Sequence, residues 1–240
     1  MISLDIAEIL PQFPTYRVAL VVATDLTIGQ ERPPALVDYI ASVEADCRAQ
    51  YAGRELGDIP EVRRWRQAYK AFGVKKTSFR SSVERLLRRV IQGEGLPPIN
   101  TLVDAYNAIS VAYRVPAGAD DLNLLKTPLA YRYAREGDTY FTLGEEALAP
   151  DPPDPGEVVY ADTAHVLCRR WNWRQDARSA IRDVTRRVTL NIEALDDESA
   201  SIVEEAARTL CNLLEACCEA RCGWAVADMA HPVVSVAEPT

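Results

Sequence analysis

His165-Val166-Leu167-Cys168-Arg169-Arg170-Trp171-Asn172-Trp173-Arg174-Gln175-Asp176 starts as a strand and ends as something less ordinary. Its first half alternates like a β-strand. Its second half sets guanidinium groups, indoles and a carboxylate side by side. An indole buries a large area but also wants a partner for its N–H. A guanidinium offers a planar fork that suits carboxylates, phosphates and ring faces. Two readings stand at this point. One is a strand with two half-buried tryptophans and solvated arginines. The other is a surface that stacks unpaired nucleotides and contacts their backbone.

The segments around this stretch set the fold class. LAYRYA (129–134), TYFTL (139–143), EVVYA (157–161), HVLCRRW (165–171) and VTLNIEAL (188–195) read as strands, and YRVALVVA (16–23) as a buried one. The run 149–156 (APDPPDPG) is too proline-rich for regular structure. Helical spacing dominates before them. Residues 34–50 place Leu36, Val37, Ile40 and Val43 on one face, with Pro34 in the first turn. Residues 60–72 repeat Val62, Trp65, Tyr69 and Phe72 and stop at Gly73. Residues 81–92 carry a Ser81/Glu84 capping box, an apolar stripe of Val83, Leu86, Leu87, Val90 and Ile91, and Arg85, Arg88 and Arg89 off it. After the turn 93–98, Thr101/Asp104 repeats the box and opens a helix to about 112. Ser201 and Glu204 cap a closing helix over about 200–222, and 229–240 reads as a flexible tail. Helices, then strands, then one helix predict an α+β single domain over 1–228, with a mixed, mainly antiparallel sheet flanked by helices.

The chain has 240 residues and a formal net charge of −8. Residues 61–90 are net +8 and 165–190 net +5, so the rest is net −21. Such a chain does not coat polyanions indiscriminately, but it can present a local basic surface. No apolar run suits a membrane span, and the first residues lack a secretory pattern; the expected location is cytoplasmic, with no membrane or DNA partner. The six cysteines match no zinc spacing and read as reduced apolar fillers, with no metal or cofactor. Walker, dinucleotide and nucleophile-elbow motifs are absent. The two histidines, His165 and His231, leave no pattern for a Ser-His-Asp or Cys-His site. A polar set remains. Asn100, Asp104 and Asn107 are spaced as one helical face, and Trp171 to Asp176 form the other segment.

Trp65, Tyr69, Phe72-Gly73, Lys76, Arg80 to Glu84, Leu96-Pro97, Pro98-Ile99-Asn100-x-Leu102-Val103-Asp104-x-x-Asn107, Pro116-Ala117-Gly118, Asp120-Asp121-Leu122, Arg132, Gly156-Glu157-Val158, Asp162 and Arg169 to Asp176 form a chain of spaced matches. They resemble the editing module of the phenylalanyl-tRNA synthetase beta chain, the B three/four domain, and more closely its free-standing relatives. The resemblance covers about residues 60–195. It implies trans-acting hydrolysis of misacylated aminoacyl-tRNA, without aminoacylation, and a tRNA 3′ end carrying an amino acid as partner. A non-catalytic RNA- or amino-acid-binding module is the alternative. On this likeness Asp176 is the expected catalytic residue. Asn100, Asp104, Asn107, Gly118, Asp121, Trp171, Asn172 and Trp173 are expected to bind substrate. Lys76, Arg80, Arg169, Arg170 and Arg174 are expected to meet RNA. Gly118 stands where the synthetase module has a histidine.

Overall fold

The structure is a computed structural model, which describes residues 1–76, 78–144, 149–195 and 200–239. Its elements run β1 (Ile2–Asp5), β2 (Tyr16–Thr24), α1 (Pro34–Tyr51), α2 (Pro60–Ala71), α3 (Ser82–Ile91), α4 (Thr101–Tyr113), β3 (Ala117–Asp121), β4 (Leu129–Tyr133), β5 (Val158–Ala161), β6 (Val166–Arg169), β7 (Arg174–Gln175), β8 (Val188–Leu195), α5 (Ala200–Cys218), β9 (Arg221–Ala227) and β10 (Val233–Val236). The fold is α+β. One sheet has the order β10-β1-β4-β5-β6-β7 and the other β3-β8-β2-β9. The first is mixed, because β1 and β4 run parallel while the remaining pairs are antiparallel.

Strand β2 explains its own sequence. Val18 to Ala23 are all fully buried, so neither face alternates with polar residues. It sits between β8 and β9, and α5 packs over it. One hydrophobic cluster joins residues of both sheets and all five helices. No helix among the described residues is long and apolar enough to cross a membrane.

Several local expectations change. In α1 the buried residues are Leu36, Ile40, Val43, Cys47 and Tyr51, while Val37 is exposed. Ser81 starts α3 but its side chain caps nothing, because Glu84 turns instead to Arg66 and Arg80. In α3, Arg85 and Arg88 are exposed, Arg89 and Leu86 half-buried. The cap of α4 is Asn100, whose side chain accepts from Val103 N at 2.9 Å. The cap therefore sits one residue earlier than Thr101 without a reciprocal box, and Asp104 accepts from Ile99 N at 2.9 Å. Segment 139–143 forms only isolated bridges, Phe141 to Pro150 and Thr142 to Asp176. The Ser201 cap lies outside the described residues.

The largest difference is at the C-terminal end. Helix α5 stops at Cys218, because Glu219 adopts a left-handed φ of 58° and the chain re-enters as β9. The segment expected as a flexible tail then supplies β10, which pairs along its length with β1. Val236 is buried there, and Thr24 Oγ1 donates to Pro239 O at 2.9 Å. Removing residues 231–240 should therefore lower unfolding free energy in urea by at least ~1.5 kcal/mol, the scale for exposing one buried valine. An unchanged urea midpoint would mean that the segment is loose after all.

Candidate functional site: a cavity between the two sheets

The chain reverses at the end of β6. Arg170 and Trp171 both take left-handed backbone angles, φ 47° and 67°, which are costly for bulky residues. Backbone contacts hold the turn. Trp171 N donates to Val158 O at 2.6 Å, and Trp173 N to Arg169 O at 3.1 Å. The Trp171 indole is fully buried. It meets Phe13, Tyr16 and Trp65 edge-on, at 4.7, 4.9 and 5.2 Å between ring centroids.

This turn divides the tryptophan–arginine stretch into separate duties. Arg169 is 1% exposed and fixed by Glu157 at 2.8 Å and Asp151 at 2.6 Å. Arg170 is buried, with its guanidinium 3.6 Å from the Phe79 ring centre and 4.5 Å from that of Trp173. These two arginines, expected to meet RNA, are part of the interior. Asn172 accepts from Tyr69 Oη at 3.0 Å and donates to Glu193 at 3.3 Å. Arg174 remains half-buried, and Lys76 is exposed. Arg80 is tied to Glu84 at 2.8 Å.

A cavity of about 180 Å³ opens here, a little larger than the roughly 150 Å³ that accepts a benzene ring. Strand pairing explains its lining. Gly118 of β3 lies opposite Asn191 of β8, and Asp120 opposite Thr189. With period-2 alternation, Gly118, Asp120, Asn191 and Glu193 share one face. From the other sheet, Tyr131 and Tyr160 are paired across β4 and β5, with rings stacked at 4.8 Å. Tyr160 in turn pairs with Cys168 of β6. Tyr106 and Asn107 of α4, Ser82 of α3, and Trp171 to Gln175 complete the wall.

Expected site residues thus divide. Asn107, Gly118, Trp171, Asn172, Trp173 and Arg174 are brought together at the cavity. Asn100 caps its helix instead. Asp104 is fully buried and bound to Arg32 at 2.6 Å. Asp121, on the other strand face, accepts from Thr185 Oγ1 at 2.6 Å and Asn123 N at 2.9 Å. Asp176 is fully buried and its carboxylate is taken up. One oxygen accepts from Arg178 N and Nε at 2.7 and 2.9 Å. The other accepts from Phe141 N and Arg178 Nη2 at 2.9 and 2.7 Å. It closes a turn, leaving no lone pair for a substrate ammonium or a water. Beside it, His165 lies 3.1 Å from Arg178 Nη1.

Two acids in the cavity wall were not singled out from sequence. Asp120 accepts from Ser179 Oγ at 2.6 Å and Gln175 Nε2 at 2.7 Å. Glu193 accepts from Tyr16 Oη at 2.9 Å as well as from Asn172. Burial pushes the Asp120 carboxyl up to about 7 and Glu193 up to about 8; the hydrogen bonds oppose this only in part. The available signal was the alternation Thr189-x-Asn191-x-Glu193 inside an otherwise apolar strand.

Both acids bind their protons more tightly in the folded chain than in the unfolded one. The stability they contribute is complete below their unfolded pKa values and is lost as pH rises through about 7 and 8. Thermal melts should therefore show a lower Tm at pH 9 than at pH 5, and Glu193→Gln should flatten that slope. An equal slope in the variant would remove Glu193 as its source. Asp176→Asn, in contrast, should cost ~3 kcal/mol in urea, because a buried ion pair loses one member. A value below ~1 kcal/mol would contradict this structural role.

A family model described as the B3/4 domain matches residues 64–219. Among solved structures, the chain is similar to an N-terminal fragment of the phenylalanyl-tRNA synthetase beta-subunit from Pyrococcus horikoshii, at 12% identity and a TM-score of 0.47. The alignment covers 92% of this chain and 50% of that one, so the chain spans about half the length of that fragment. No curated protein matches it. With the family model spanning more than half of its length, the chain belongs to the B3/4 domain family.

Proposed function

We propose that the cavity between the sheets receives the aminoacyl end of a misacylated tRNA and hydrolyses its ester in trans. The observation that carries this reading is that two buried acids, Asp120 and Glu193, line one aromatic-walled cavity sized for one amino acid. Membership of the B3/4 family supports it. The role places the protein in the cytoplasm, in translation quality control.

The chemistry needs little apparatus. An aminoacyl ester is already activated, so orienting a water and stabilising the developing oxyanion suffice. A substrate ammonium entering beside Glu193 favours the ionised carboxylate, because an opposite charge offsets the cost of burial. Asp120, with a pKa of about 7, suits a general base that takes a proton from the attacking water. The side-chain amides of Asn107 and Asn172 are the candidate donors to the oxyanion. Gly118 sets the room available. A Cβ built there meets nothing within 4 Å, and its φ is not positive, so the backbone does not require glycine. Its missing side chain leaves space where the synthetase module has a histidine.

The alternative, binding without hydrolysis, draws on the same two carboxyls. Their raised pKa values favour neutral acids near pH 7, which can hydrogen-bond a ligand without activating water.

A panel of aminoacyl-tRNAs separates the two. The wild-type protein should release the amino acid from at least one of them, faster as pH rises through about 7. Asp120→Asn should slow release ~100-fold, the lower end for loss of a general base. Full activity in folded Asp120→Asn would remove Asp120 from the mechanism. Inactivity of wild type on the whole panel, with retained binding of an amino-acid amine, would establish the binding module instead.

A further inference from the structure

A second cavity, of about 170 Å³, lies on the other side of the Asn172 wall. The two are close neighbours. Ser81 lines the second and Ser82 the first. Tyr69 lines the second, and its hydroxyl donates to Asn172 of the first at 3.0 Å. The Ser82 amide donates to Asn172 O at 3.0 Å, so the N-terminus of α3 is pinned at this boundary.

Three independent features give the second cavity its chemistry. Helix α3 begins without a side-chain cap, and with the Ser82 amide given to Asn172 O the Val83 and Glu84 amides are left for an outside acceptor. The positive end of its dipole favours an anion there. Ser81 is only 2% exposed, and its hydroxyl has no hydrogen-bond partner among the described residues. Such an orphaned group is costly to bury unless something binds it. Third, the lining is cationic. Glu84 is neutralised twice, by Arg66 at 2.7 Å and Arg80 at 2.8 Å. Lys70, Lys75 and Lys76 then contribute unbalanced positive charge at the mouth, all three exposed.

We infer that this second cavity is a phosphate site, which holds a backbone phosphate of the RNA whose acylated end occupies the cavity between the sheets. The ligand is a phosphodiester oxygen pair, met by the first-turn amides of α3, the Ser81 hydroxyl and the three lysines. Identification of the anion's source as RNA rests on the proposed function. The anion site itself does not.

Amide chemical shifts of the ¹⁵N-labelled protein test it, with inorganic phosphate and with a short single-stranded RNA that carries no amino acid. Val83 and Glu84 amides should shift saturably with both, and the RNA should bind at least ~10-fold tighter, with affinity falling steeply as salt rises. Lys75→Glu combined with Lys76→Glu should weaken both ligands at least ~10-fold. Ser81→Ala should weaken phosphate several-fold without lowering the thermal midpoint of the free protein, since the hydroxyl has no internal partner to lose. Shifts that never saturate, or that spread evenly over surface lysines, overturn the site. RNA binding no tighter than phosphate overturns its source. Saturable shifts in a protein that hydrolyses no aminoacyl-tRNA support the site and refute only the proposed activity.

Discussion

Two consecutive bulky residues in the left-handed region cost on the order of 1–3 kcal/mol each, and the chain bears that cost at Arg170 and Trp171 because the Trp171 indole is enclosed by aromatic rings. Burying a large ring and making favourable edge-to-face contacts outweighs the strain. The consequence is directional. Trp171 points into the core, Arg170 between Phe79 and Trp173, and Asn172 toward Tyr69 and Glu193. The same turn pins α3 through Ser82 and positions β7, whose Gln175 holds Asp120. Both cavities therefore depend on one reversal of the chain.

The space between the sheets is an uncommon place for a polar face. Burying Asp120 and Glu193 disfavours their ionised forms and would be prohibitive without hydrogen-bonding partners. Tyr16, Asn172, Ser179 and Gln175 supply those partners. A chain selected only for stability gains more from apolar residues at these positions. Two acids kept in the cavity wall are the arrangement on which the proposed polar-ligand site rests.

Charge is likewise spent inside before it reaches the surface. The basic windows of the sequence contain Arg66, Arg80, Arg169 and Arg178, and each is committed to a buried acid. Outward, those windows still present Lys70, Lys75 and Lys76 by the second cavity, Arg85 and Arg88 on α3, and Arg63, Arg182 and Arg186 elsewhere. A count of cations overstates the binding surface, because a guanidinium serves equally well as an internal clamp.

The sequence by itself determined the five helices, the central strands and the α+β class, because burial imposes periods that local residues must obey: Val62, Trp65 and Tyr69 repeat on one helix face, and β2 is apolar throughout; the strands β1, β3, β9 and β10 were not legible in it. It also marked the tryptophan–arginine stretch and Asn107 as unusual; Trp171 to Gln175 and Asn107 line the cavity, while Arg169, Arg170 and Asp176 are held in the interior. Its errors lie where a polar residue has two possible partners. Asn100, Asp104, Asp121 and Asp176 look like a site and serve as caps and clamps. Glu193 looks like an ordinary strand residue, and Asp120 lies in a matched motif without being singled out; both stand in the cavity wall. The tail from 229 looked loose because β10 acquires its partner from β1, at the opposite end of the chain. Which acid meets water and which meets an arginine is set by contacts between distant segments. Spacing along one strand or helix contains no record of them, so only the tertiary structure decided it.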